Sequence, residues 1–269
     1  MTAPNVRLVP ADEIPRFLAW LGDTPESAMS HHRVARDLGV ARVIGAPGEY
    51  RAAVVQGALW PDEPVAFGSE ALEVWGILEE TPGWTAVNAS TEIAPEIGRL
   101  LGRQRGVEVS FGPEHYFVRV PGSALPRVEH GARILDRADL ALMIDATTAL
   151  AMDGWRFGTA EALLAQGIVA GVVVDAILVA VAFTSAITPL HAEIGVVTRD
   201  EHQRKGFATH AAAVVISEVE ARRRIPVWST AADNAASLAI ARRLGFREIG
   251  RRVFVNRCPA VDGTQIGDA

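Results

Sequence analysis

The chain has 269 residues, of which 49% are hydrophobic, so it is long enough for two domains with packed cores. Its formal net charge of -6 argues against a general nucleic-acid-binding protein, since such proteins usually carry an excess of basic residues. The single cysteine, Cys258, excludes an intrachain disulfide. Because the N-terminus also lacks the pattern of a signal peptide, we expect a reducing, cytoplasmic setting.

The first 130 residues predict an α/β lobe that contains no recognisable motif. Helical periodicity and β-like runs alternate there, with helices at 26–38 and 91–105 and runs at 51–59, 84–88 and 107–120. Prolines and glycines are concentrated in residues 121–133, which predicts the connection between two lobes. We therefore place a boundary near residue 130, with an N-terminal lobe at 1–130 and a second domain at 131–269.

The second domain opens with two helices and three strands. We predict helices at 136–152 and 159–166 and strands at 168–174, 177–186 and 192–198. The apolar stretch 168–187 is long enough for a membrane helix, but Asp175 lies near its middle and Val and Ile dominate it. We interpret it as two strands joined at Asp175–Ala176, so no membrane partner is expected.

The domain continues with a long Ala-rich helix at 207–223. Its apolar stripe consists of residues spaced four apart: Ala211, Val215 and Val219. A strand at 227–230, a helix that Asp233 or Asn234 can cap and a last strand at 250–255 follow. Because some strands are consecutive and others are separated by helices, the fold class is α/β, with a mixed sheet flanked by helices.

Positive charge is concentrated toward the C-terminal end. Residues 199–257 contain 12 lysines and arginines against 6 aspartates and glutamates, and the rest of the chain contains 14 against 26. A basic region on an acidic protein indicates a polyanionic ligand. The predicted start of the helix at 207 suits such a ligand, because unpaired backbone N–H groups and the helix dipole attract anions there. Gly206 would let the backbone approach a phosphate closely, and Arg204 and Lys205 add positive charge.

The residues around this loop resemble those of the GNAT acetyltransferases. The loop Gln203-x-x-Gly206-x-Ala208, between a strand and a helix, matches the acetyl-CoA loop of that family. A second block matches the family at its usual spacing through Asn234, Ser237, Leu244, Gly245 and Phe246. The resemblance covers residues 131–257 and implies a GNAT-like fold there. For residues 1–130, a degenerate GNAT-like unit is one alternative.

The resemblance implies that the protein transfers an acetyl group from acetyl-CoA to an amine by direct attack, without a metal. Val196 and Val197 would lie on the central strand that binds the pantetheine arm. The implied coenzyme-binding residues are Val196, Val197, Gln203, Arg204, Lys205, Gly206, Phe207, Ala208, Thr209, Asn234 and Ser237. For Asn234, an ordinary helix cap is the alternative role. For the whole domain, a non-catalytic acyl-CoA-binding or regulatory module is the alternative function.

Acetyl transfer requires a base for the ammonium and an acid for the leaving thiolate. Glu193 is the candidate base, although a solvent-facing carboxylate on a strand edge is an alternative interpretation. His191 is a reserve candidate, otherwise a surface histidine. The tyrosine that frequently acts as acid in the family is replaced by Ala241. Either Tyr50 or Tyr116 reaches across from the other lobe, or the thiolate leaves without a dedicated acid, or catalysis is lost.

Other chemistry has less support in the sequence. His31 and His32 lack suitably spaced acidic or cysteine partners, so we interpret them as surface residues and expect no metal site. The spacing of His191 and Glu193 matches a zinc deaminase, but the pair of cysteines that such enzymes need is missing. The acidic first lobe favours a cationic small-molecule or peptide acceptor, such as an aminoglycoside, a polyamine or a peptide N-terminus. That lobe is expected to shape the acceptor pocket or an oligomer contact, which leaves a homodimer open.

Overall fold

The two halves of the chain repeat one order of secondary-structure elements. The computed structural model describes residues 5–149 and 156–259. The first half consists of β1 (Val6–Leu8), α1 (Ile14–Leu21), α2 (Ala28–Ala35), β2 (Gly39–Ala46), β3 (Glu49–Gly57), β4 (Val65–Gly68), α3 (Ala71–Glu79), β5 (Ala86–Ser90), α4 (Ala94–Leu101) and β6 (Val107–Arg119). It is therefore a strand, two helices, three strands, a helix, a strand, a helix and a final strand.

The second half has the same order. Its elements are β7 (Arg133–Ile134), α5 (Leu140–Ala149), α6 (Ala160–Gln166), β8 (Val169–Val174), β9 (Ile177–Ile187), β10 (His191–Thr198), α7 (Phe207–Ala221), β11 (Ile225–Ala231), α8 (Ala235–Arg243) and β12 (Phe246–Pro259). The predicted helix at 136–152 is α5 preceded by a short 3₁₀ turn, and its last residues, 150–152, lie outside the described residues.

The twelve strands found in residues 5–149 and 156–259 form one mixed sheet in the order β1-β2-β3-β4-β5-β12-β6-β11-β10-β9-β8-β7. The last strand of each half lies beside the other half, because β6 pairs with β11 and β12 pairs with β5. These two long strands also pair with each other, from Phe246 beside Arg119 to Pro259 beside Val107. The boundary near residue 130 stays a prediction. The final strand of each half, β6 or β12, pairs with a strand of the other half.

Strands β8 and β9 confirm the interpretation of the apolar stretch as a hairpin. Asp175 and Ala176 form its turn, with φ angles of 49° and 61°. Nine consecutive residues of β9 are buried on both faces of the sheet, which explains why this stretch is as apolar as a membrane helix. Among the described residues, no helix has both the length and the apolar character needed to cross a membrane.

Helices cover both faces of the second half of the sheet. Helix α7 packs on one face, where Ala211, Val215 and Val219 are fully buried, so the predicted apolar stripe is confirmed. Helices α5 and α6 pack on the opposite face against Val181 and Phe183. Helix α2 of the first half also contacts β9 and β10. One helix of the N-terminal half therefore lies over the strands that carry the candidate site.

Candidate active site

Strands β10 and β11 run parallel and then separate. Their pairing ends at Glu193 beside Val227, although β10 continues to Thr198 and β11 to Ala231. The register of β10 against β9 also shifts directly after Glu193, between Glu193 and Ile194. Beyond this point the edge of β10 that faces β11 has backbone N–H and C=O groups free of that strand. Such groups can bind an extended ligand as a neighbouring strand would.

The separation opens a cleft of about 960 Å³, a volume within the range of small-molecule sites. Its walls come from the free half of β10, the loop before α7, the first turn of α7, the end of β11 and one face of α8. The lining residues are 194–201, 203, 204, 206–209, 228–230, 234, 236, 237, 240 and 243. The structure thus brings together ten of the eleven residues implied to bind coenzyme.

The start of α7 lies on this cleft and has the backbone geometry of an anion site. Gly206 is its N-cap residue with a φ of 83°, and within the described part of the chain no side chain caps the first turn. The backbone N–H groups of Phe207, Ala208 and Thr209 are therefore available to a ligand at the positive end of a fifteen-residue helix. A Cβ on Gly206 would meet only the His210 ring, at 3.6 Å. The positive φ, rather than crowding by the protein, is what requires glycine here.

The loop side chains do not all face the cleft. Arg204, which has a φ of 61°, lines it, whereas Lys205 is exposed and is the one implied coenzyme residue that does not. Gln203 lines the cleft, but its amide donates to Asp200 Oδ1 at 2.8 Å. Arg243 of α8 also lines the cleft, so positive charge comes from two elements.

Asn234 and Ser237 hold the second wall in place. The Asn234 Oδ1 atom accepts from the backbone N–H of Ser237 at 3.0 Å, which confirms that Asn234 caps α8. The hydroxyl of Ser237 accepts from Nε1 of Trp228 at 2.9 Å and so connects α8 to β11. Both residues line the cleft, and these contacts give each of them a structural role as well.

The sequence did not predict three further residues of α8 that line the cleft, which are Ala236, Ile240 and Arg243. Ile240 and Arg243 line the cleft together with Ser237. Their spacing of three residues places them on one face of a helix, so the helical period counted from Ser237 could have identified them. Ala241 lies outside that face and is fully buried in the core with Leu244. A residue at position 241 therefore packs inside the domain.

Glu193 lies where the two strands separate. It is 7% exposed, so the alternative of a solvent-facing carboxylate is wrong. Its Oε1 atom accepts a hydrogen bond from the hydroxyl of Ser229 at 2.5 Å. Burial raises the pKa of Glu193, while the Ser229 hydrogen bond and the charges of Arg156 and Arg33 oppose the rise. A carboxylate with a raised pKa is better matched to accepting a proton near neutral pH.

Tyr116 lies on the same side of the sheet as Glu193. It is paired with Ser229 in the register of β6 against β11, and its hydroxyl donates to Glu114 Oε2 at 2.8 Å. Burial raises the pKa of Tyr116 well above its ordinary value, and the nearby charges of Glu114 and Glu193 raise it further. Tyr116 therefore keeps its proton at neutral pH. Tyr50 is engaged elsewhere, because its hydroxyl donates to Glu13 Oε2 at 3.0 Å.

His191 is not a surface histidine. It is 6% exposed, and its Nδ1 atom lies 2.7 Å from Asp23 Oδ1. Asp23 also accepts from the Thr188 hydroxyl at 2.6 Å and from the Leu190 N–H at 2.9 Å. Burial would raise the pKa of Asp23, but the hydrogen bonds from His191, Thr188 and Leu190 outweigh it and lower that pKa. His191 thus ties β10 to the first half of the chain.

His31 and His32 are likewise buried, so their interpretation as surface residues is wrong. His32 has no exposed surface, and its two ring nitrogens contact the Ile187 N–H at 3.2 Å and the Arg156 carbonyl at 3.3 Å. Burial lowers the pKa of His32 to about 4, so the ring is neutral at neutral pH. The residue therefore acts as a buried link between α2 and β9.

One further histidine cluster lies behind the start of α7. Glu129, His130 and His210 each place one potential metal-ligand atom within 4.8 Å of the others. However, His210 Nδ1 accepts the backbone N–H of Glu129 at 3.2 Å. A neutral ring that accepts at Nδ1 carries its proton on Nε2, so Nε2 is not free to bind a metal. The cluster supports no metal proposal.

Comparisons with known proteins agree with this geometry. The family model of the GNAT acetyltransferases matches residues 144–251. A comparison with curated proteins finds no match. Among solved structures, a GCN5-related N-acetyltransferase-like protein from Streptococcus suis is 17% identical with a TM-score of 0.63, over 92% of this chain and 99% of its own.

Two other solved structures extend over most of the chain. A putative GNAT-family acetyltransferase from Novosphingobium aromaticivorans is 20% identical with a TM-score of 0.58, over 89% of this chain and 100% of its own. A tandem GNAT protein from the clavulanic acid biosynthesis pathway is 14% identical with a TM-score of 0.57, over 96% of this chain and 100% of its own. At these identities the likeness concerns the fold. Residues 144–251, in the C-terminal half of this chain, match the GNAT acetyltransferase domain.

Proposed function

We propose that this protein is an N-acetyltransferase that moves the acetyl group of acetyl-CoA onto an amine. The observation that carries the proposal is the cleft between β10 and β11, which has an uncapped helix start at one end and Glu193 where the strands separate. The anion site suits the pyrophosphate of the coenzyme, and the carboxylate suits an incoming ammonium. Reaction in the cytoplasm belongs to the same proposal and rests on the single cysteine of the chain.

The coenzyme would follow the cleft from α7 toward Glu193. The N–H groups at Phe207, Ala208 and Thr209 would hold the pyrophosphate, and Arg204 would add a charged contact. The free edge of β10 at Val196 and Val197 would hydrogen-bond the pantetheine arm as a strand does. A β10 N–H group directed at the thioester oxygen would stabilise the negative charge that develops there.

The acetyl group would pass directly from the coenzyme to the acceptor. Glu193 takes a proton from the ammonium, the freed nitrogen attacks the thioester carbon, and the C–N bond forms as the C–S bond breaks. The electron pair of the broken bond leaves with the CoA sulfur as a thiolate, and the second proton that the nitrogen loses on becoming an amide passes to this thiolate or to water. Because an ordinary thiol has a pKa of about 8.5, this group can leave without a dedicated acid. The absence of a tyrosine at Ala241 is therefore compatible with catalysis.

Two measurements test the proposal. Isothermal titration calorimetry would measure acetyl-CoA binding, and release of free CoA thiol with a panel of amines would measure turnover. We expect both binding and amine-dependent release. Binding without release for any amine would support the alternative, a non-catalytic acyl-CoA-binding module. No binding of acetyl-CoA would contradict the proposal.

A further inference from the structure

Helix α2 of the first half forms one wall of a polar region over the strands that carry Glu193. It contacts β2 and β3 of its own half and β9 and β10 of the other. Ser30 and Arg33 lie three residues apart and so share a face of this helix. Both are buried, at 1% and 6% exposure. The opposing strands contribute Glu193, Ser229 and Tyr116, which cluster together on one side of the sheet.

Arg33 is a buried cation without a polar partner among the described residues. Its guanidinium makes no hydrogen bond or ion pair with any described residue, and its Nη1 atom is shielded from solvent. The side chain packs against Gly57, where a Cβ would lie only 3.0 Å from the Arg33 Cζ and Nε atoms. Burial lowers the pKa of Arg33 to about 10, so it remains charged at neutral pH. An unpaired buried charge is costly, which indicates that a partner arrives with a ligand.

The charge of Arg33 acts on Glu193 without a direct ion pair between them. Arg156 and Arg33 are the two charges that oppose the burial-driven rise in the pKa of Glu193, and Arg33 forms no ion pair with this carboxylate. Ser30, on the same face of α2, has a buried hydroxyl without a hydrogen-bond partner among the described residues. A region with a carboxylate on one side and an unpaired guanidinium on the other is complementary to a molecule that carries both an ammonium and a carboxylate.

On the basis of the proposed transferase function, we infer that the acceptor is an amine that also carries a carboxylate, such as an amino acid. Its ammonium lies at Glu193, and its carboxylate pairs with Arg33 and accepts the Ser30 hydroxyl. Polyamines and aminoglycosides lack a carboxylate and would leave Arg33 unpaired.

The test compares amines that differ only in the carboxylate. Each L-amino acid would be assayed for acetyl-CoA-dependent CoA release beside the amine produced by its decarboxylation. We expect at least one amino acid to be acetylated with a kcat/KM roughly 10-fold or more above that of its matched amine, since charge-assisted hydrogen bonds have about this strength. Equal or better turnover of the decarboxylated amines throughout the panel would overturn the inference.

Arg33→Gln locates the carboxylate contact. It should raise the KM for the amino acid about 10- to 100-fold and leave its matched amine nearly unchanged. The matched amine is essential, because loss of the Arg33 charge alters the pKa of Glu193 equally for both acceptors. Arg36→Gln is the control, since the guanidinium of Arg36 lies over the Phe157 ring and is hydrogen-bonded to Gln166. An unchanged preference for the amino acid in Arg33→Gln would contradict the assignment.

The failure of this inference can be distinguished from failure of the proposed function. If acetyl-CoA binds and only amines without a carboxylate are acetylated, the transferase function stands and the inference is wrong. If acetyl-CoA binds and no amine is acetylated, thermal shift in the presence of CoA replaces turnover as the readout. Stabilisation by an amino acid that is lost in Arg33→Gln would then support the carboxylate site, and no stabilisation by any amino acid would overturn it.

Discussion

The hydroxyl of Ser229 on β11 donates to Oε1 of Glu193 on β10 at 2.5 Å, close to the point where these strands separate. This bond links the two walls of the cleft. Because the hydrogen bond favours the ionised carboxylate, it lowers a pKa that burial raises. The pair therefore sets the basicity of the proposed general base.

Ser229→Ala should shift the pH dependence of turnover. Without the hydroxyl, the pKa of Glu193 rises further, so the acidic limb of the kcat/KM profile moves to higher pH. The measurement is CoA release over a range of pH with saturating acetyl-CoA. A profile identical to that of the parent protein would show that Glu193 is not the group whose ionisation limits turnover.

Glu193→Gln should abolish most of the turnover while preserving coenzyme binding. The amide retains the size of the side chain and removes its basicity, so we expect a loss of about 10²-fold or more in kcat. Acetyl-CoA affinity, measured by calorimetry, should be nearly unchanged. A fully active Gln variant would exclude Glu193 as the base.

Arg204→Ala and Lys205→Ala form a matched pair in the coenzyme loop. Arg204 lines the cleft and Lys205 does not, so the first change should weaken acetyl-CoA binding more than the second. The Arg204 variant should also show a weaker dependence of affinity on salt, because a screened charge contact is lost. Equal effects of the two changes would mean that only the overall charge of the loop matters.

Gly206→Val should prevent acetyl-CoA binding without unfolding the protein. A β-branched residue is strained at a φ of 83°. We expect a loss of about 2 kcal/mol or more in binding and a smaller loss of apo stability. Gly206→Ala has less bulk at the same φ. Comparing the two variants therefore separates the effect of backbone strain from the effect of the space that the side chain fills. If the Val variant bound acetyl-CoA with the affinity of the parent protein, this loop would not be the phosphate-binding site.

His32 should make the protein less stable in acid. Its pKa in the folded state is about 4, below the ordinary value of 6.5. The stability that the folded state gains from keeping this ring neutral is therefore fully present above pH 6.5, and it is lost as the pH falls toward 4. The loss amounts to about 3 kcal/mol for a shift of this size. In His32→Gln, the unfolding free energy measured with urea should fall less steeply over this interval. An unchanged slope would contradict the assignment.

Local patterns in the sequence predict the elements around the cleft well. The β9 hairpin, the loop into α7 and the cap at Asn234 each depend on residues within one or two turns of each other. Turn residues at Asp175–Ala176, the glycine at Gly206 and the helical stripe of α7 all carry their structural signal locally. For this reason their positions agree with the structure to within a few residues.

The environment of Glu193 depends on contacts that local patterns do not contain. Its neighbour Tyr116 arrives through β6, a strand of the first half that pairs with β11 of the second. Arg33 arrives through α2, and Asp23 anchors His191 from a position 168 residues away in the chain. Polar residues are usually exposed, so the residue type of His32 does not predict its burial. The residues around Glu193 could therefore be identified only from the tertiary structure.

The most direct test of the account is a crystal structure of the protein with acetyl-CoA. We predict that pyrophosphate oxygens lie within about 3 Å of the backbone nitrogens in the first turn of α7. The pantetheine arm should follow Val196 and Val197, with the thioester beside Glu193. Coenzyme bound outside the cleft between β10 and β11, or with its pyrophosphate away from Gly206, would contradict the account.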